Sequence, residues 1–384
     1  MTSLPTTVLI VGVGPAGLAT AIGLARRGID FVIVDALAEA QNTSRAAVIH
    51  AATLEAVGGL GVTDRLIDQG IKARWFRVRD RDTVLLNTDF APLPTPTPYA
   101  LMIPQDETEQ ILISRLAELG HSVRRPLRLT ALEHGPDGVK AVCESPQGPL
   151  TIKARYIVGA DGEKSFVRSA AEIAFPGHTY GSFLLADVRM DWPIEKSEVT
   201  LFFSEAGTLV VAPMSGERYR VVAQLPDAPS NPTIADVEKI IAERGPRTGT
   251  GTGVSELLWG SRFQVHHKLA DSFRKGPVLL VGDAAHVHSP AGGQGMNLGL
   301  RDAVALSQAL ADAIETRTQT PLETYAADRR AAAARILDLT DHLTRVATLS
   351  NPTLRWLRNR LIATLGTLPA IQTRAARTLA GFEH

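Results

Sequence analysis

The chain of 384 residues has a single cysteine, Cys143, which excludes an intrachain disulfide and any zinc or iron–sulfur site built on several thiolates. It has no surplus charge. Lys+Arg and Asp+Glu both count 40, so nothing favours a phosphate backbone and nucleic acid is not expected as a partner. Long unbroken apolar runs are also lacking. The opening MTSLPTTVLIVGVGPAGLAT is apolar, but no Lys or Arg precedes it and Gly and Pro interrupt it. Neither a signal peptide nor a membrane span is therefore expected, and a cytoplasmic location is the default. HExxH and GxSxG are absent, which removes the zinc-protease helix and the hydrolase nucleophile elbow. With 45% apolar and 21% charged residues, what remains is a globular protein of two or three domains suited to small-molecule chemistry.

Two glycine-rich strand-to-helix turns are present. The first lies in TTVLIVGVGPAGLATAIGLARRGIDFVIVD, which reads as strand, turn, helix and strand. The run Val8–Val11 ends in Gly12-Val13-Gly14-Pro15-Ala16-Gly17, the helix stops near Gly28, and the next strand ends at Asp35. Gly12 makes the tight turn, Gly14 admits a pyrophosphate to the backbone, and Gly17 allows close helix–strand packing. The anion would rest on the unpaired N–H groups of the helix start, and Asp35 stands where a carboxylate accepts from the adenosine ribose. NAD and FAD share that half, so this motif does not separate them.

The second turn lies in VLLVGDAAHVHSPAGGQGMNLG, residues 278–299. It reads as a buried strand, a Gly282-Asp283 step, a turn through Pro290–Gly295 and a helix from near Met296. Asp283 is placed for a chain of hydroxyls, and the glycine turn lets N–H groups approach a flat or anionic group. Two such sites suit a ligand with two distant parts, as FAD has. NAD would leave the second without a job.

Between the turns, 44–70 reads as helix after a capping Ser44, 74–90 alternates as strands, and a helix runs from about Asp106 to Leu119. Strands follow at 139–145 and 151–162. At 199–225 three strands are joined by turns at Glu205–Gly207 and Ser215–Glu217. Strands alternating with helices imply a doubly wound α/β domain, and the hairpins imply a second, antiparallel sheet. In the last of the three strands Tyr219, Val221, Ala223 and Leu225 share one face, and pattern alone puts Arg218, Arg220 and Gln224 toward water. PRTGTGTGV at 246–254 lacks a preceding strand and reads as a surface loop.

Three motifs in order, GVGPAG at 12–17, VGADGEKSFVR at 158–168 and VGDAAHVHSPAGGQGMN at 281–297, give the chain a resemblance to the class A flavoprotein aromatic monooxygenases, the p-hydroxybenzoate hydroxylase-like group. The resemblance runs from about residue 7 to the C-terminal helices. It implies an α/β fold: a Rossmann-like FAD-binding domain (1–72, 106–177, 271–345) with an inserted antiparallel or mixed β-sheet substrate domain (73–105, 178–270) and C-terminal helices (346–384). The implied FAD contacts are Gly12, Gly14, Pro15, Ala16, Gly17, Asp35, Arg45, Gln105, Asp161, Gly162, Arg168, Gly282, Asp283, Pro290, Gly293, Gly295, Met296 and Asn297. Pro290 would lie over the reactive edge of the flavin. Arg220 matches a strand arginine that faces the flavin, which overrides its placement in water. Asp35 stands where the family usually has Glu. Many longer members continue past LAGFEH into a thioredoxin-like domain, so nothing that domain does is carried over.

The implied reaction is a FAD-dependent monooxygenation. NADH or NADPH binds transiently and reduces FAD. O2 then gives the flavin C4a-hydroperoxide, which passes one oxygen to an aromatic substrate, phenolic or polyketide-like. Tyr180, His178 and Tyr219 are candidate bases, with Tyr219 more suited to packing. His286 and His288, with His266 and His267, lack a metal-ligand arrangement and read as loop histidines; no metal is expected, and His286 supports the GDAAH backbone. An NAD(P)-dependent dehydrogenase would account for the first turn, but no Tyr-x-x-x-Lys pair is present. Another flavin oxidoreductase stays open; a halogenase lacks its W-x-W-x-I-P signature. A non-catalytic FAD- or NAD-sensing module would not need a sheet facing the flavin end. Leu354, Leu357, Leu361 and Leu365 form one helical stripe flanked by Arg355 and Arg358, for which packing onto the FAD domain is the expectation. Oligomeric state is not legible.

Overall fold

The computed structural model describes residues 3–39, 46–135, 138–247, 253–349 and 351–383. Among these the strands form three sheets. The first is built on buried runs without alternation, as strands covered by helices on both faces require. Ser3–Val11 pairs in parallel with Phe31–Val34 on one side and with Gly148–Gly159 on the other, and Val278–Leu280 follows in parallel beyond. Leu9 and Val278 both register on Ile157, and all three are fully buried. The first half of Gly148–Gly159 instead pairs antiparallel with Gly138–Ser145, which pairs with Arg128–Gly135. Cys143 is fully buried there, and burial pushes its thiol up to about 11.

The second sheet runs His286–Val287, Val254–Leu269, Gly177–Met190, Arg218–Gln224, Gly207–Met214, Glu198–Ser204, Trp75–Asp80, Thr83–Asp89. It is antiparallel except where Glu198–Ser204 lies parallel to Trp75–Asp80. Its end strand, His286–Val287, follows directly from the parallel strand Val278–Leu280, so one stretch of chain joins the two sheets. The third sheet is small: Ala100–Met102 between Val48–Ile49 and Ile71–Ala73.

Two expectations are corrected. Residues 46–70 are not one helix. Val48–Ile49 is a strand, followed by helix Ala51–Ala56, a 3-10 turn Val57–Leu60 and helix Thr63–Gln69, while Ser44 lies outside the described residues. Gly58, Gly59 and Gly61 sit where a continuous helix would have to run, and Gly61 takes a left-handed conformation that ends the turn. The leucine stripe of helix Pro352–Leu365 is not buried on the FAD-binding domain: its four leucines are 45–51% exposed. The helix docks on another face: Ile362 and Ala363 pack against Val78, Leu85 and Phe203, and Arg358, which is 6% exposed, donates to the Val346 and Ala347 carbonyls and lies 4.0 Å over the Phe203 ring. No helix among the described residues is long and apolar enough to cross a membrane.

Candidate active site

The carboxyl ends of the parallel strands bring three glycine-containing loops together, the place where open α/β sheets bind ligands. Gly12 donates to the Val34 carbonyl (2.9 Å), Ala160 to Val11 (2.8 Å) and Val281 to Gly159 (3.0 Å). The approach is close enough that a Cβ on Gly12 would stand 2.1 Å from the Ala160 oxygen, and Gly12 has a positive φ of 108°. At Gly14, by contrast, a Cβ would meet nothing within 4 Å. Gly14 precedes helix Pro15–Ala25, whose start has no side-chain cap, and Pro15 at its first turn has no N–H. The remaining N–H donors of that turn are left for an anion. Helix Gln294–Thr316, which begins after Gly293, also lacks a side-chain cap.

The acids around these loops hold the backbone. Asp35 accepts from the Val13 (3.1 Å) and Leu37 (2.8 Å) amides and lies 3.8 Å from Arg125. Its remaining lone pairs suffice for a further donor. Asp161 accepts from Ser165 Oγ (2.5 Å) and from the Phe166 (2.7 Å) and Val167 (3.1 Å) amides, capping helix Phe166–Ala170; burial pushes its pKa up. Arg168 donates to the Ala284 carbonyl (2.9 Å) and the Glu163 carbonyl (2.7 Å) and lies 3.9 Å over Phe175. One guanidinium thus ties the 161–168 loop to the Gly282-Asp283 loop. Asp283 is exposed beside it. Gln105 opens helix Gln105–Glu118, with its amide on the Ala46 carbonyl (3.2 Å) and its side chain on Glu109 (2.8 Å).

The turn through Pro290–Gly295 is bound to the short strand Val48–Ile49. Asn297 accepts from the His50 amide (2.8 Å) and donates to the Val48 (2.9 Å) and Gly293 (2.8 Å) carbonyls. Its side chain is therefore engaged by protein, and Pro290 is exposed alongside. His286 is wholly buried with Nε2 2.7 Å from Asp302, whose other oxygen accepts from Arg329 (2.5 Å). That network, which fastens the Gly-Asp loop to helices Gln294–Thr316 and Thr320–Ala347, is visible in sequence only through its histidine. Arg45 lies outside the described residues, as do 248–252 of the expected surface loop.

On the sheet side Arg220 is 4% exposed. It grips Asp187, its cross-strand partner, with two bonds of 2.7 Å and donates to the Ala46 carbonyl at 2.9 Å. Tyr219 is buried in the core on the other face, and burial raises its pKa. Tyr180 Oη donates to Asp341, and burial and that bond push its pKa well up, which favours the protonated phenol. His178 and His267 stack at 4.7 Å beside Asp341. The Asp341 carboxylate is already engaged by Tyr180 and by Arg345 (2.9 Å).

His288 contributes a pH dependence. Burial lowers its pKa from 6.5 to about 4, against the bond its Nδ1 donates to the Ser289 carbonyl, which works the other way. Because the folded value lies below the unfolded one, the unfolded chain binds the extra proton between them. The stability contribution is complete above pH 6.5 and lost as pH falls toward 4, up to about 3 kcal/mol. Urea unfolding of the wild type and His288→Gln from about pH 7 to about pH 4.5 is expected to show a shallower loss in the variant. Parallel curves would contradict it.

Residues 5–340 match the FAD binding domain family. The chain is 34% identical over 352 residues to 6-methylpretetramide 4-monooxygenase of Streptomyces rimosus, covering 90% of this chain and 62% of that protein. It is 32% identical over 343 residues to pentachlorophenol 4-monooxygenase of Sphingobium chlorophenolicum, covering 86% and 63%. The chain thus spans less than two-thirds of the length of these two relatives. Among solved structures, an anhydrotetracycline hydroxylase from Streptomyces rimosus superposes with TM-score 0.82 at 32% identity, covering 99% of this chain and 77% of that one. A p-nitrophenol 4-monooxygenase from Pseudomonas putida superposes with TM-score 0.88 over the whole of both chains, and at 23% identity it speaks for the fold alone.

Proposed function

The chain belongs to the class A FAD-dependent aromatic monooxygenases, and we propose that it inserts one oxygen atom of O2 into an aromatic, phenolic or polyketide-like substrate at the expense of NADH or NADPH. The observation that carries the reading is the convergence of the Gly12, Ala160–Gly162 and Gly282-Asp283 loops at the ends of the parallel strands, beside an uncapped helix start. That arrangement fits a dinucleotide: open space at Gly14, free N–H donors behind it, and acids placed for hydroxyls on either side.

Gly12, Gly14, Pro15, Ala16 and Gly17 would hold the pyrophosphate, Asp35 the adenosine ribose, and Gly282 and Asp283 the ribitol. Gly293, Gly295 and Met296 would approach the flavin ring, with Asn297 holding their turn and Pro290 facing the reactive edge. Asp161, Gly162 and Arg168 shape the loop along which the nicotinamide approaches, Gln105 contributes from the start of its helix, and Arg45 is placed here by family resemblance alone. Arg220 sets its charge beside the 46–50 segment. Bound FAD supplies hydride acceptance and activation of O2. The protein orients the substrate and excludes water, while the Tyr180 proton stays on its own oxygen, directed at Asp341.

The test is the visible spectrum of the purified protein, with NADH or NADPH then added without oxygen, followed by oxygen-dependent NAD(P)H consumption across a set of phenols and polycyclic polyketides. A flavin spectrum, bleaching by nicotinamide and a product carrying one atom from 18O2 are expected. A colourless protein that takes up no added FAD would sink the reading.

A further inference from the structure

Two histidines and an aspartate meet at one end of the antiparallel sheet, and none of them is among the residues assigned to FAD. His178 and His267 are direct cross-strand partners in strands Gly177–Met190 and Val254–Leu269, which sets both rings on the same face. Asp341 reaches them from helix Thr320–Ala347. One nitrogen of each ring and one oxygen of the carboxylate all lie within 4.8 Å of one another. His267 Nδ1 is buried without a hydrogen-bond partner, a state that costs stability unless something else uses the atom. Burial and the neighbouring His178 hold the His267 pKa below its ordinary value, so the ring is neutral at pH 7 with a lone pair to offer. Asp341 is held low, against burial, by its bonds from Tyr180 and Arg345, so it is ionised.

We propose that His178, His267 and Asp341 bind one divalent transition-metal ion, with Zn2+ the best match. Two imidazoles and a carboxylate suit zinc, whereas Mg2+ and Ca2+ take oxygen ligands throughout. Three protein ligands leave one position of a tetrahedron for water, on the side where His178 is exposed. The fit needs only small movements. Two bonds of about 2.1 Å span at most about 4.2 Å, so the donors must draw together by roughly half an ångström or more. His178, stacked 4.7 Å from His267 and exposed, has only to turn its ring. Arg345, 70% exposed, gives up its place on the carboxylate to the ion. Tyr180 stays bonded to Asp341 and orients it, the supporting bond that metal-binding carboxylates require. The ion then fastens helix Thr320–Ala347 to the sheet one turn ahead of Thr344, which donates to Ser289 Oγ (2.7 Å) beside Pro290. The spacing of the three residues in sequence carries no metal signal, because two strands and a helix supply them.

The test is isothermal titration of the full chain, free of any polyhistidine tag and stripped with EDTA, with Zn2+ alone. One ion per chain is expected, with a Kd on the order of 10 μM. Zn2+ at about 100 μM is expected to raise the melting midpoint by about 2 °C, and Mg2+ at about 10 mM to do neither. His178→Gln is expected to weaken Zn2+ binding about 30-fold or more with an unchanged circular dichroism spectrum. Asp341→Asn, which keeps an oxygen for Tyr180, is expected to weaken it about tenfold or more. The exposed His178 keeps the comparison available even if Asp341→Asn folds poorly. A wild type with no stoichiometric Zn2+ binding overturns the proposal. So does Zn2+ binding undiminished in folded His178→Gln, which places the ion elsewhere on the surface, or Mg2+ binding as tight as Zn2+.

Discussion

Gly12→Ala is expected to yield a chain that retains no FAD and unfolds more readily, whereas Gly14→Ala loses FAD alone. At Gly12 the new Cβ would stand 2.1 Å from the Ala160 oxygen, 2.4 Å from its carbon and 2.8 Å from the Asp161 nitrogen. All three are backbone atoms of a strand end, so no side chain can swing away. The positive φ adds about 1–3 kcal/mol of strain for a residue with a Cβ, and the clash must be relieved by parting the 12–14 and 160–162 loops. The bonds Gly12 to Val34 and Ala160 to Val11 then stretch, and the groove between the loops loses its shape. A total destabilisation on the order of 3 kcal/mol or more is expected. Gly14 has φ −74° and an empty Cβ position, so alanine there costs the fold about 1 kcal/mol or less. Its methyl nevertheless occupies the space a pyrophosphate needs, and a drop in FAD affinity of about 100-fold is expected. Thermal melts of the apoproteins and fluorescence titration with FAD separate the two effects. Equal melts for both variants, or tight FAD binding by Gly12→Ala, would refute the loop geometry.

How much of this was legible in sequence depended on how local the cause was. The first turn, the helix behind it and the three strands of 198–224 carry their periodicity and turn residues within a few positions, and they fold where expected. Val48–Ile49 has no such signal. It is a strand because Ala100–Met102, about 50 residues away, pairs with it, and Asn297, about 250 residues away, anchors it through the Val48 carbonyl and the His50 amide. The acids that hold Arg220 and His286 were likewise invisible: Asp187 and Asp302 are ordinary residues until the strands and helices meet. The stripe at 354–365 shows a different limit. Periodicity identifies an apolar stripe, yet the docking contact falls beside it, where Ile362 and Ala363 pack on Val78, Leu85 and Phe203 and where Arg358 and Asn359, which a hydrophobic pattern assigns to solvent, make the hydrogen bonds.

Asp187→Ala is expected to be among the most destabilising single changes in the chain. Arg220 lies in the sheet at 4% exposure, and Asp187 takes two of the three bonds its guanidinium makes. Removing the carboxylate leaves a buried cation with one carbonyl, and breaking such a pair costs about 3–5 kcal/mol. Arg220→Met leaves the less deeply buried member: Asp187 is 14% exposed and better able to reach water. Its cost is therefore smaller. The double variant Asp187→Leu/Arg220→Met removes both charges and is expected to recover most of the stability, since a well-packed apolar pair often matches a buried ion pair. It does not recover the bond to the Ala46 carbonyl, which ties the sheet to the 46–50 segment and through Asn297 to the Pro290–Gly295 turn. Stability and function then part company. The double variant is expected to unfold in urea near the wild-type midpoint while binding FAD about tenfold more weakly. If the double variant is as unstable as Asp187→Ala, the cost lies in packing rather than in the orphaned charge. If it binds FAD as tightly as the wild type, Arg220 holds the sheet and has no part in shaping the groove.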